Sequence, residues 1–228
     1  MFALMPTTNL CAQTAAPSPV RSLLANKSLT SVVDAPRYYA LFSLKVPASR
    51  EIVVPGNGFA YVLSGTIAAA NGGNRSTIHE GQAIATQMGD TLVSTTDGVG
   101  AVVLHFFFGS QSELPVSANP PDLTEIYRTP APVPNLKSGL YEFTLARVSF
   151  PPLMPTNARH HRSGAAIYYV LSGSGSFVVS GKVEPRPTGS VQYEPNDLIH
   201  QWGNATDAPL VFLQANISQE GVPPVIFE

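Results

Sequence analysis

The 228-residue chain has only 12% charged residues against 44% hydrophobic ones, and Lys+Arg 13 against Asp+Glu 15 leave a formal net charge of −2. No window gathers a basic stripe, which excludes the electrostatic footprint of a nucleic-acid or anionic-membrane binder. Twenty-one prolines and eighteen glycines keep the hydrophobic runs short, excluding coiled coils and long apolar spans, and the single cysteine, Cys11, excludes an internal disulfide or thiolate metal cluster.

Residues 1–36 form an N-terminal segment. Leu10-Cys11-Ala12 before Gln-Thr-Ala-Ala-Pro looks like the cleavage end of an export signal, but no basic stretch opens it and Pro6, Thr7, Thr8 and Asn9 interrupt its apolar part. Cytoplasmic and exported locations both stay open. Val20–Ala25 is a short helix candidate. A first unit follows over 37–115, opening with a strand-like run from Tyr38 to Pro47 and carrying Tyr61-Val-Leu-Ser-Gly65, with Gly81 behind it. Near its end Val102–Phe108 (VVLHFFF) is a continuous apolar run suited to a strand buried on both faces, within the chain or in a homodimer. His105 inside that run is expected to be structural, and His79 lies outside any motif. Residues 116–139 read as a Pro- and Asn-rich linker, with Asp122–Tyr127 a second helix candidate after a double proline.

The second unit, 140–228, repeats the first: Tyr169-Val-Leu-Ser-Gly173 copies Tyr61–Gly65 letter for letter at an offset of 108 residues, and Gly189 follows as Gly81 does. Short runs of β-branched and aromatic residues between Gly, Asn, Asp and Pro clusters mark strands at Ala166–Leu171, Ser176–Val179, Val191–Tyr193, Leu198–Trp202 and Leu210–Asn216. The pattern predicts an all-β chain of two tandem antiparallel barrels with very little helix.

Gly189-x5-Pro195-x-Asp197-x2-His200-x3-Asn204 resembles the second motif of the cupin superfamily, departing only at Asp197, where the motif has Gly. The turn is expected to need a positive φ, which Asp tolerates second best to Gly. The resemblance implies a bicupin, two jelly-roll-like barrels, with metal ligands from a first motif of two His and one Glu joined by the His of the second. Here that first motif is degenerate. Ala166 holds the Glu position, and the two His positions fall on Arg159 and His161 or on His160 and Arg162, depending on spacing. The first unit is more eroded: Leu92 stands where His200 does, Gly58 at the Glu position, and Glu51-Ile-Val-Val54 upstream.

The candidate site therefore lies in the second unit. His160, His161 and His200 are the candidate ligands of a divalent metal (Fe, Mn, Ni, Cu or Zn), with Glu194 or water as a further ligand. His200, His161, Arg159 and Arg162 are the candidate catalytic residues, because guanidinium forks hold carboxylate or enolate oxygens bidentately. Trp202, Tyr168 and Glu194 are the candidate pocket walls; Tyr168 and Tyr169 face opposite ways, so one of them lines it. Asn204 is assigned to the scaffold. No Gly-rich phosphate loop or nucleophile elbow is present, so no nucleotide cofactor is implied. Two functions remain: a small-molecule enzyme, a metal-assisted isomerase, lyase, cyclase or oxygenase acting on a small organic acid or carbonyl compound, or a metal-free, non-catalytic small-anion binder or sensor. A purely structural duplication is the third reading.

Overall fold

The computed structural model describes residues 17–48, 50–71, 73–95, 100–114 and 122–228. The signal-like stretch around Cys11 lies outside them. In chain order the strands are β1 (Val20–Leu29), β2 (Arg37–Val46), β3 (Ile52–Val53), β4 (Gly58–Ser64), β5 (Thr66–Asn71), β6 (Asn74–His79), β7 (Ala83–Thr86), β8 (Thr91–Ser94) and β9 (Ala101–Ser110). After one turn of 3-10 helix (Gln111–Glu113) come β10 (Leu123–Arg128), β11 (Tyr141–Phe150), β12 (His160–Arg162), β13 (Ala165–Ser172), β14 (Ser174–Val179) and β15 (Lys182–Pro187). The chain closes with β16 (Val191–Glu194), β17 (His200–Gly203), β18 (Leu210–Gln219) and β19 (Val225–Phe227).

Each unit is a barrel of two facing antiparallel sheets. The first pairs the sheet β10-β2-β9-β4-β7 with β3-β8-β5-β6, and the second pairs β1-β11-β18-β13-β16 with β15-β14-β17-β12-β19. The five-stranded sheets correspond strand for strand, and their leading strands are exchanged. β1 precedes the first unit in sequence but pairs with β11 of the second, Leu29 opposite Tyr141 and Val20 opposite Ser149. β10 precedes the second unit but pairs with β2 of the first.

This exchange corrects both helix expectations and ties the segment before each unit to the other unit. Val20–Ala25 and Asp122–Tyr127 are too short and too weakly periodic to hold a helix alone, and each gains its backbone hydrogen bonds from a strand far away in sequence.

Alternation along the strands makes three cores. Phe42, Leu44, Val62, Leu92, Val103 and Phe107 fill the first barrel. Val148, Phe150, Tyr168, Phe177, Trp202 and Phe212 line the second. Between the two, Tyr39, Phe59, Phe106 and Phe108 of the first unit pack on Phe143, Ile167, Leu213 and Ile217 of the second. The run Val102–Phe108 is thus covered inside the chain: β9 lies between β2 and β4, and its alternate side chains serve the first barrel and the interface between units.

Candidate active site in the second barrel

Both barrels keep the same ladders, so each position of one has a counterpart in the other. In the second barrel His160 pairs with His200 across β12 and β17, and Ala166 with Glu194 across β13 and β16. In the first, Ile52 pairs with Leu92 and Gly58 with Thr86. Two residues beyond His160 stands Arg162, and two beyond Ile52 stands Val54. The second barrel thus holds His160, Arg162, Glu194 and His200 where the first holds Ile52, Val54, Thr86 and Leu92.

Strand alternation decides the spacing left open by the sequence. His160 and Arg162 point into the barrel, 3% and 4% exposed. His161 points out, its Nδ1 2.8 Å from the Asn196 carbonyl and its Nε2 3.9 Å from Glu228 Oε1. The expected triad of His160, His161 and His200 is therefore corrected: consecutive strand residues face opposite sides, and His161 lies away from the other two. Arg159, exposed on the chain before β12, does not line the cavity.

Glu194 is the centre of the cluster. Fully buried, its Oε2 accepts from Arg162 Nε at 2.8 Å and its Oε1 from Trp202 Nε1 at 2.7 Å. His200 Nε2 lies 2.9 Å from Oε1 but off the line of the ring N–H, so that buried nitrogen makes no aligned hydrogen bond. Burial disfavours the Glu194 carboxylate, but Arg162, His200 and Trp202 outweigh it and hold the pKa down at about 2. Burial also opposes the charge on Arg162, and Tyr168 and Glu194 beside it more than compensate, raising its pKa. The Arg162 Nη2 donates to the Tyr168 hydroxyl. With the Gln214 amide oxygen turned inward it accepts from Arg162 Nη2 at 2.8 Å and from the Tyr168 hydroxyl at 2.7 Å.

Ala166 opposite Glu194 gives the cluster its shape. The carboxylate absent from Ala166 rises from the neighbouring strand directly across the ladder, where a methyl side chain leaves it room. In the first barrel Gly58 cannot itself carry a side chain, because a Cβ there would fall 2.0 Å from the Phe106 carbonyl oxygen, and Thr86 stands opposite it where Glu194 stands in the second.

The two imidazoles have their rings 4.3 Å apart. His160 Nδ1 lies 2.8 Å from the Ala158 carbonyl and His200 Nδ1 2.7 Å from the Leu198 carbonyl. A carbonyl only accepts, so each Nδ1 carries a hydrogen, and each Nε2 faces inward. Burial, with smaller contributions from His200 and Arg162, lowers the His160 pKa and keeps that ring neutral. A third buried histidine, His105, lies in the first barrel with Nε2 2.9 Å from Thr86 Oγ1 and a pKa lowered to about 3 by burial; it touches no cavity of the second barrel.

Above the cluster opens a cavity of about 290 Å³. Val148, Phe150, Phe212, Trp202, Tyr168 and Phe227 give it apolar walls, and Arg21, Arg162, His160, Gln214 and Asn216 supply the polar groups. Trp202 stacks on Tyr168 (5.4 Å) and on Phe212 (5.3 Å), which also touch each other (5.2 Å). Of the expected walls Trp202 and Tyr168 line the cavity, whereas Glu194 lies beneath it, bound to the groups that do. Arg21, Gln214, Asn216 and Phe227 were not anticipated: β1 and β19 reach the mouth only through tertiary pairing.

The donor set does not fit a resident divalent metal. His160 and His200 offer two nitrogens, Arg162 places a fixed positive charge beside them, and Glu194 is already bound by Arg162 and Trp202. Among the described residues no group of three or more His, Cys, Asp or Glu is arranged to hold a metal ion. Asp197 also departs from expectation, since it is not among the residues with positive φ. The turn accepts Asp without strain.

Residues 146–216 match the family model of the Cupin domain. No curated protein matches the chain in sequence. Among solved structures, the oxalate decarboxylase of Bacillus subtilis, a protein with Mn(II) centres, is 14% identical at TM-score 0.54, covering 89% of this chain and 74% of that one. AerE from Microcystis aeruginosa is 10% identical at TM-score 0.52, covering 90% and 98%. At these identities the likeness is one of fold.

Proposed function

We propose that the second barrel, whose residues 146–216 match the family model of the Cupin domain in a chain of bicupin-like fold, binds a small organic acid and exchanges a proton with it through His160, with no step routed through a metal. The observation that carries this reading is the internal comparison. The first barrel closes the same sheets with Ile52, Val54, Thr86 and Leu92, so the fold does not require His160, Arg162, Glu194 and His200. Buried ionic groups in place of hydrophobic ones cost stability or gain little, which makes a purely structural role a poor account of them.

The chemistry of the walls supports this ligand class. An apolar body fits against Phe150, Phe212 and Trp202, and an acid group is drawn to the positive side of the cavity formed by Arg162 and Arg21. His160 is neutral, fixed as the Nδ1–H tautomer, and its Nε2 is bonded to none of the described residues, so it can accept a proton from a ligand atom within reach. Arg162, held by Glu194, Tyr168 and Gln214, faces the negative charge that proton removal leaves. Of the reaction types considered above, proton-transfer isomerisation, elimination and cyclisation suit this set.

A second reading, binding without chemistry, is favoured by the mutual saturation of Arg162 and Glu194, which makes the cluster rigid. One experiment separates the two. A panel of small monocarboxylates is screened by thermal stabilisation, and each binder is held in D2O with the protein while NMR follows loss of its α-hydrogen. Exchange by the native chain that disappears in His160→Asn supports proton transfer; binding with no exchange supports the binder; no binding by any acid rejects both.

A further inference from the structure

We infer that Arg21, delivered by the strand that the first unit lends to the second, is the residue that grips the ligand's carboxylate, so that the site takes monocarboxylates with a compact apolar body and is complete only with the exchanged strand in place. The inference rests on the reading that the second barrel binds an organic acid.

Arg21 stands opposite Val148 in the β1–β11 ladder, and residues directly opposite share a face. That face looks to the interior of the second barrel, and Arg21, an exposed residue at the rim, lines the cavity with Val148 and Phe150. The exchanged strand of the other barrel supplies the comparison: Leu123 occupies the same place, opposite Leu44, and packs on the apolar interior of the first barrel. Neither strand pairing nor barrel closure therefore asks for a charge at this position. The charged version occurs in the barrel that also carries the buried polar cluster.

Arg162 is poorly placed to be the main grip. Its Nε is bound to Glu194, and its Nη atoms to the Tyr168 hydroxyl and the Gln214 amide oxygen. Drawing its fork to a ligand would break a buried network. Arg21 forms no ion pair among the described residues, and its nearest polar contact is the Gln214 side-chain amide, 3.4 Å from Nε. Both of its Nη groups remain available for a carboxylate, the geometry for which a guanidinium fork is suited. Burial and the like charge of Arg162 both lower the Arg21 pKa, which an anion between them would relieve.

The test uses benzoate and hexanoate as probes, with benzamide and hexanamide as uncharged counterparts, and isothermal titration calorimetry on the full chain. Arg21→Leu reproduces the residue that the other barrel carries, so folding is not at risk. It should weaken the carboxylates by about tenfold or more, the worth of a charge-assisted contact, and leave the amides unchanged. Arg21→Lys should fall between. Arg147, exposed on β11, gives the control: Arg147→Leu removes the same charge outside the cavity and should leave binding unaltered. If Arg21→Leu binds the carboxylates as the native chain does while Arg162→Val loses them, the grip is Arg162 and the inference falls with the acid-binding reading intact. If the native chain binds none of the probes, the acid-binding reading falls as well.

Discussion

Replacing Glu194 by Gln keeps the shape of the buried cluster and removes its charge. Arg162, 4% exposed, then has no anion beside it, and an amide NH2 faces donors it cannot serve. Breaking a buried ion pair from one side costs about 3–5 kcal/mol. The displaced carboxyl pKa gives the same scale independently: held at about 2 against 4.5, it corresponds to about 3 kcal/mol. That contribution is present above pH 4.5 and is lost as pH falls towards 2, the direction required for a carboxyl whose folded pKa is depressed. In a domain of this size the loss lowers Tm by roughly 6–20 °C.

The companion variant carries the first barrel's residues at all four positions, His160→Ile, Arg162→Val, Glu194→Thr and His200→Leu. It should recover at least half of that loss, because no charge is left buried, and Trp202 Nε1 remains as the group without its acceptor. Urea unfolding at pH 7 measures both variants. A Glu194→Gln protein within 1 kcal/mol of native, about the worth of one ordinary hydrogen bond, would refute the buried pairing. A fourfold variant less stable than the single one would refute the equivalence of the barrels.

Three further outcomes are expected. His105→Gln, which installs the residue that β18 carries as Gln214 at the same ladder position, should flatten the fall of stability between pH 6.5 and 3: the unfolded imidazole takes up a proton there that the folded one, with a pKa of about 3, does not, and pH-dependent urea midpoints will show the slope. Arg162→His should gain one Co(II) per chain, seen as visible ligand-field absorption, because a third imidazole replaces the repelling charge and Glu194 is released, whereas Arg162→Gln should not. Asn204→Ala should cost about 2–4 kcal/mol in urea unfolding, since this fully buried amide donates to the Pro151 and Ala208 carbonyls at 3.0 and 2.8 Å and accepts from Thr206 N and Oγ1 at 3.1 and 2.7 Å.

The repeat of Tyr61–Gly65 at Tyr169–Gly173 made the duplicated barrel legible, because a hairpin needs its glycine turn and its alternating strand whatever surrounds it. His200 and Asn204 were readable for the same reason, their spacing being set by one turn and one strand. The choice between His160 and His161 was not, since a shift of one residue reverses every side chain and only the pairing of His160 with His200 fixes the register. Glu194 could be suspected but not placed: its role depends on standing opposite Ala166, a relation between strands far apart in sequence. Arg21 and the strand carrying it left no local signal at all. Val20–Leu29 has no ladder of its own, and only the edge of β11, more than a hundred residues on, turns it into a strand and brings its arginine to the mouth of the other unit's cavity.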